Sequence, residues 1–94
     1  MKTVIDLNEA VLTTSFVLNK EDQIISVYHH LDDGMWEFVG EMEAQESDYR
    51  VVSIEEMVDL DNSILSLVDM ERGYFACRMP GKDNFLIEKM SSDS

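Results

Sequence analysis

The sequence predicts a small α+β domain, with a mainly antiparallel sheet of about five to six strands and one or two short helices packed on one face. Three observations favour this class. The chain has 94 residues, enough for one hydrophobic core and too few for two. Short runs rich in β-branched and aromatic residues recur between polar turns. One region with a helical cap and helical apolar spacing interrupts them. We expect a single domain over residues 1–90 and a disordered tail over residues 91–94.

Composition and turn signals predict the first two strands. Ala10 to Leu18 is rich in β-branched and apolar side chains and is followed by a polar turn. Gln23 to His30 is the next run of this kind. We expect each run to form a strand.

A β-hairpin is the clearest local prediction. Leu31 to Gly34 contains an Asp-Gly turn signal, and Met35 to Gly40 then returns as the partner strand. A loop of two or of four residues gives the same pairing parity. The face predicted to join the core carries Ile25, Val27, His29, Trp36, Phe38 and Gly40. The opposite face carries Ile24, Ser26, Tyr28, His30, Met35, Glu37 and Val39.

A short strand from Tyr49 to Val52 is expected to lead into the helical region. Ser53 followed by Glu56 is a capping box, which predicts a helix start. The apolar stripe of this helix is Ile54, Met57, Val58 and Leu60.

The remaining elements are a second short helix and two strands. Asp61 or Asn62 can cap a helix over Ser63 to Val68, built on Ile64, Leu65 and Val68. Tyr74 to Met79 and Asn84 to Met90 are predicted to be strands that complete the sheet.

The charge of the chain narrows the classes of partner. Seven basic residues oppose twenty acidic ones, and the net charge of −13 disfavours nucleic acids and anionic membrane surfaces. Residues 23–70 hold twelve acids and a single base, Arg50. We expect a negative surface that attracts a basic protein partner. The candidate partner-binding residues are Asp32, Asp33, Glu41, Glu43, Glu46 and Asp48.

The second face of the hairpin is a further candidate interface. It is too apolar for a solvated surface and too polar for a core, so it is predicted to be covered or to bind something. Its candidate residues are Tyr28, His30, Met35, Glu37 and Val39. Self-association through this face, giving a homodimer, is the competing hypothesis to capture of a partner.

Patterns for chemistry are missing from the sequence. Asp59, Asp61 and Ser63 resemble the start of a calcium loop, but Ile64 and Met70 stand where that loop needs glycine and glutamate. These polar residues are therefore interpreted as helix caps. We expect a non-enzymatic protein without a metal or cofactor.

Histidine and cysteine chemistry is similarly limited. Adjacent strand residues point to opposite faces, so His29 and His30 do not chelate one ion. A small-molecule site using either histidine is a third hypothesis, for which the sequence shows no pocket. Cys77, the single cysteine, is interpreted as a buried structural thiol.

Several segments together resemble a bacterial family. They are Thr13 to Ser15, Val27 to Val39, Arg50 to Met57 and Asp59 to Leu65, with an Asp-Gly-x-Trp-x-Phe hairpin and an Arg-Val-Val-Ser-x-Glu-Glu segment as the most specific parts. The chain is similar to small bacterial proteins related to an immunity-protein domain family of polymorphic toxin systems. The resemblance implies an inhibitor that occludes a basic, toxin-like effector, and it implies no catalytic site. Because an acid follows soon after Lys2, a signal peptide is not predicted and a cytoplasmic location is expected.

Overall fold

The computed structural model describes residues 6–90, so the predicted tail at 91–94 lies outside the described residues. The strands are β1 (Ala10–Thr14), β2 (Ser26–His29), β3 (Trp36–Val39), β4 (Tyr49–Ser53), β5 (Tyr74–Cys77) and β6 (Leu86–Lys89). The α-helices are α1 (Ser15–Leu18) and α2 (Ile54–Leu60), and 3-10 helices span Glu46–Asp48 and Asn62–Leu67. The α+β prediction is confirmed. No helix within residues 6–90 has the length and apolar character needed to cross a bilayer.

The strands form one sheet in the order β4-β1-β3-β2-β5-β6. The β1–β3 pair is parallel and the other neighbouring pairs are antiparallel, as predicted for the sheet as a whole. In the predicted hairpin, Val27 pairs with Phe38 and His29 with Trp36, so the expected pairing is confirmed. Ile25, which was predicted on the core face, is only partly buried and lies outside the core cluster. The connection has four residues and is closed by a 2.9 Å hydrogen bond from the His30 N–H to the Met35 carbonyl.

One face of the sheet is covered and the other is open. We define the covered face by Val11, Val27, Trp36, Phe38 and Ala76, which join a single buried cluster. Helix residues of the same cluster are Val17, Ile54, Met57, Ile64 and Leu67, and the connecting segments add Ile24 and Met70. The alternate strand residues form the other face, which we call the open face. Within residues 6–90, every buried helix residue is part of the cluster on the covered face.

The helix α2 begins where the capping box predicts. The Glu56 N–H donates to the Ser53 Oγ at 3.2 Å, and the Ser53 N–H donates to the Glu56 Oε1 at 3.3 Å. Ile54 and Met57 are buried, and Val58 and Leu60 pack against the cluster, so the predicted stripe is confirmed. The stripe fastens α2 to the covered face.

The next helical segment corrects one core prediction. It is a 3-10 helix, in which side chains repeat every three residues, so Ile64 and Leu67 face the core, followed by Met70. Leu65, which was predicted to pack, is 41% exposed. The Asp61 side chain caps this helix by accepting the Ser63 N–H at 3.1 Å, as predicted.

The first predicted strand is too long. It ends at Thr14, whose hydroxyl accepts the Val17 N–H at 3.2 Å and starts the turn of α1. A threonine at a helix cap can override the β propensity of the residues that follow it.

The second predicted strand also begins later, and this corrects the placement of Ile24. The Ile25 N–H donates to the Val39 carbonyl, one residue out of the hairpin register, so the strand alternation does not extend before Ser26. Ile24 is consequently buried in the core at 1% exposure instead of lying on the open face.

The last two strands are shorter than predicted, at four residues each. Cys77 lies at the end of β5 and is partly exposed, which corrects its interpretation as a buried thiol. It pairs with Ser26, whose neighbour Val27 is on the covered face, so Cys77 belongs to the open face.

Candidate functional site

The open face is a continuous row of side chains across all six strands. The pairings place Val51, Leu12, Glu37, Tyr28, Phe75 and Glu88 side by side in that order. Val39 and Cys77 lie on the same face in the neighbouring row. The strand positions of this face include two acids, Glu37 and Glu88, and no lysine or arginine. It is therefore a semi-apolar surface whose charges are negative.

An aromatic stack occupies the middle of the open face. The Tyr28 ring stacks with the His30 ring, two residues along the chain, and with the Phe75 ring on β5, with centroid distances of 6.0 Å and 5.8 Å. The His30 Nε2 is 2.9 Å from the Glu37 Oε1, so these two residues form a cross-strand polar pair. The predicted second-face residues Tyr28, His30, Met35, Glu37 and Val39 lie together. Tyr28 of β2 pairs with Glu37 of β3, His30 bonds Met35 through the backbone, and Val39 follows on β3.

Sequence reasoning missed several members of this face. Leu12, Val51, Phe75 and Leu86 extend it to both edges of the sheet, and Val51 and Leu86 are 64% and 69% exposed. Each lies in a run that was predicted to be a strand, but the strand order was not readable. The parallel β1–β3 pairing, which brings Leu12 beside Glu37, leaves no local signal.

The predicted acidic residues fall into two groups. Asp32 and Asp33 lie before β3, in the hairpin loop, and the Asp33 carboxylate accepts the Met35 N–H at 2.9 Å. The second group, Glu41, Glu43, Glu46 and Asp48, follows β3. A four-residue strand separates groups at its ends by roughly 13 Å. The acids therefore lie at the two opposite ends of β3 instead of forming one patch.

An aspartate that sequence reasoning did not select orders the acidic loop. Asp22 accepts the Glu41 and Met42 N–H groups at 3.1 Å and 2.8 Å. A side chain at Gly40 would meet this carboxylate at about 2.3 Å, so only glycine leaves it room. Farther along, the Asp48 carboxylate accepts the Gln45 N–H at 2.9 Å. The loop is thus held in shape before any partner arrives, which reduces the entropy lost on binding.

A cleft lies beside His30, at the end of the sheet that carries the hairpin loop. Its volume is about 530 Å³, and its walls include Asp32, Glu71, Arg72 and Lys89. The Arg72 guanidinium lies over Gly34, where an added side chain would approach it to 2.4 Å. The cleft therefore combines acidic and basic groups, unlike the open face.

His29 has a structural role. Its Nδ1 is 2.7 Å from the Met70 carbonyl, which only accepts, so this nitrogen carries the proton and donates. The ring stacks on Trp36 with centroids 3.9 Å apart. His29 is therefore a hydrogen-bonded residue at the edge of the core, and it does not line the cleft.

Asp61 and Arg78 form an ion pair that sequence reasoning also missed. The Arg78 Nη2 donates to the Asp61 carboxylate at 2.5 Å, Nε donates to the Ile24 carbonyl at 2.8 Å, and Nη1 donates to the Ser63 Oγ at 2.8 Å. The guanidinium also lies 4.2 Å from the centre of the Phe85 ring. Since these partners come from separate segments, the pair ties the helical layer to the sheet.

The electrostatics of Asp61 follow from this network. Burial alone would raise the pKa of its carboxyl, but hydrogen bonds from Ser63 and Arg78 outweigh burial and hold the pKa below the ordinary value of 3.8. Each of the three guanidinium nitrogens of Arg78 donates to a protein acceptor, and the side chain is 1% exposed. We assign the pair to stability and not to a functional site.

Metal binding has no constellation to support it. Within residues 6–90, no three histidine, cysteine, aspartate or glutamate side chains converge as ligands would.

No protein-family model, no curated protein and no solved structure matches this chain. The resemblance to immunity proteins therefore stays a prediction.

Proposed function

We propose that this chain is a protein-binding domain that captures a basic protein partner on its open face. The observation that carries the proposal is the Tyr28 stack at the centre of a semi-apolar face whose strand positions carry acids and no bases. Stable interfaces combine an apolar, aromatic centre with a polar rim. The two acidic groups at the ends of β3 supply such a rim here.

The chemistry of the partner follows from this arrangement. Its surface would present apolar side chains to the Tyr28 stack and lysine or arginine side chains to the acidic groups. Since Tyr28 stacks with two neighbouring rings, it is restrained before binding and can act as an anchor at low entropic cost.

An immunity-type inhibitor fits this description. A basic effector that acts on nucleic acid needs a positive surface, and an acidic protein seated on that surface would occlude it. This proposal extends the resemblance in the sequence, places the capture in the cytoplasm and assigns no catalysis to the chain.

The first test measures how much the open face contributes to partner binding. The probe is the purified product of the gene adjacent to this one, titrated calorimetrically with wild type, Tyr28→Ser and a control, Leu65→Ser. Leu65 is an exposed apolar residue of the 3-10 helix that follows α2. Loss of an interface anchor costs about 2 kcal/mol or more, so we expect binding at least roughly thirtyfold weaker for Tyr28→Ser and unchanged for the control.

The second arm tests the acidic rim. Glu41, Glu43 and Glu46 are changed together to glutamine, and the matched control changes Glu21, Glu55 and Asp59 to their amides, all exposed acids elsewhere. We expect slower association for the first triple variant and a smaller effect of salt. Equal behaviour of both triple variants, together with full binding by Tyr28→Ser, would remove the basis of the proposal. Failure of the neighbouring product to bind wild type would remove the immunity assignment.

The cleft beside His30 supports a second candidate, a small-molecule site. Its mixture of Asp32 and Glu71 with Arg72 and Lys89 suits a small zwitterion, which carries both charges. The site would use His30 and not His29. Saturable thermal stabilisation by free amino acids, lost in Arg72→Ala, is the expected result, and no stabilisation by any amino acid would contradict it.

A further inference from the structure

The outer edge of β6 is open and apolar. β6 pairs with β5 on one side, and among residues 6–90 no strand pairs with its other side. All four of its residues are exposed, with Leu86 at 69% and Ile87 at 50%. Natural edge strands are usually protected by proline, bulges or an excess of charge, because an unprotected edge invites another strand. This edge has one glutamate and one lysine and no proline.

The backbone register shows which groups face outward. The Arg78 N–H donates to the Ile25 carbonyl at 3.0 Å, so the even-numbered residues of β5 direct their backbone groups toward β2 and the odd-numbered residues direct theirs toward β6. Residues 75 and 88 are therefore a hydrogen-bonded pair of the β5–β6 ladder, in agreement with the bond from the Met90 N–H to the Gly73 carbonyl. Such pairs alternate with pairs that do not exchange hydrogen bonds. Leu86 and Glu88 therefore direct their backbone groups toward β5, whereas Ile87 and Lys89 direct theirs outward.

We propose that two copies of this chain join through their β6 strands, antiparallel, about a two-fold axis at Ile87. A two-fold axis perpendicular to the sheet leaves each face of the joined sheet on the same side. Because residues that pair directly across two strands lie on the same face, the residue at the axis must pair with the equivalent residue of the other copy. The axes nearest the centre of the strand are at Ile87 and Glu88. An axis at Glu88 would oppose two glutamates, whereas an axis at Ile87 opposes two apolar side chains.

The self-complementary register is what identifies a second copy as the occupant. In this register the Ile87 residues exchange two hydrogen bonds across the axis, and Lys89 meets Phe85 of the other copy. The joined sheets are continuous, and the two open faces lie on the same side. This assembly is independent of partner capture and uses a surface other than the Tyr28, Met35 and Val39 face considered for self-association from the sequence.

The dimer is expected to be weak and to become stronger as the salt concentration rises. One short strand buries less area than the roughly 1,600 Å² of a standard interface. Each copy carries a net charge of −13, so like-charge repulsion opposes the dimer and salt relieves it. Salt should therefore strengthen self-association, whereas it should weaken capture of a basic partner.

Sedimentation equilibrium of the full chain, from micromolar to millimolar concentration at low and high salt, tests the proposal. Ile87→Pro removes an outward N–H that the monomer leaves unpaired but that the dimer uses twice by symmetry. We expect dimerisation at least roughly tenfold weaker in this variant. Val51→Pro is the matched control, because the Ile54 N–H donates to the Glu9 carbonyl and this register also directs the Val51 N–H outward, on the opposite edge.

A second variant separates loss of pairing from loss of folding. Ile87→Lys keeps the N–H but opposes two positive charges at the axis, so it should weaken the dimer comparably while thermal unfolding at low concentration stays as in wild type. Tyr28→Ser should leave the dimer intact. A wild type that stays monomeric at millimolar concentration and high salt would overturn the proposal. A dimer that survives both Ile87 variants, or that Val51→Pro dissolves equally, would also overturn it.

Discussion

The two faces of the sheet are formed by alternate residues of the same strands, and they differ in how far their side chains are buried. On the covered face, Phe38 and Val27 are 3% and 0% exposed under the helical layer. On the open face, their neighbours Val39 and Tyr28 are only partly buried, and Tyr28 stacks with Phe75 of the same sheet. Binding half of a sheet to its own helices leaves the other half for partners, which is why we place stability on the covered face and recognition on the open face.

The prediction with the largest expected effect truncates the side chains of two neighbouring residues of β3. Phe38→Ala should lower the free energy of unfolding by about 3–5 kcal/mol, because it leaves a cavity in the core. Val39→Ala, one residue along, should lower it by less than about 1 kcal/mol. Urea unfolding measures both. Similar losses in the two variants would show that the open face is a second core.

The ion pair gives the next largest effect. Arg78→Met leaves the Asp61 carboxylate without its cation and should cost roughly 2–4 kcal/mol, reduced because the Asp61 side chain is 24% exposed. The matched control, Arg50→Met, removes an exposed guanidinium that bonds the Ser47 and Tyr49 carbonyls, and should cost less than about 1 kcal/mol. The same unfolding experiment compares them, and equal losses would contradict the structural role of Arg78.

Lowering the pH should weaken the same ion pair and give a smaller loss of stability. The pKa of Asp61 is lower in the folded chain than its ordinary value of 3.8. Its contribution is therefore complete above that value and is lost as the pH falls through the lower, folded pKa. Asp61→Asn should flatten the dependence of the urea midpoint on pH below about 4. Parallel curves for the variant and wild type in that range would contradict the assignment.

The parts of the fold that the sequence predicts are those with local causes. The Asp-Gly hairpin, the Ser53–Glu56 capping box and the Asp61 cap each depend on residues a few positions apart, and each is present. Thr14 and Leu67 show the limits of local reasoning. A threonine cap ended a strand that β propensity would have continued, and a 3-10 repeat placed Leu67 in the core where an α-helical repeat had favoured Leu65.

The candidate site was half predictable. Tyr28, His30 and Glu37 share a face through hairpin alternation, which the sequence shows. Leu12 and Phe75 join that face only through pairings with distant strands. The ties from Asp22 to the acidic loop and from Arg78 to Asp61 also link distant segments, and no spacing rule encodes them.

The position of β1 between β3 and β4 has a consequence for how the chain folds. The β2–β3 pair closes over a short loop, whereas β1 bonds Glu37 on one side and reaches as far as Ser53 on the other. During synthesis β1 is made first but has no complete set of partners until β4 emerges. Non-local pairing of this kind is slow, so the nascent chain carries an unpaired apolar strand through much of its synthesis. Translation stalled before Ser53 should therefore yield an aggregation-prone fragment.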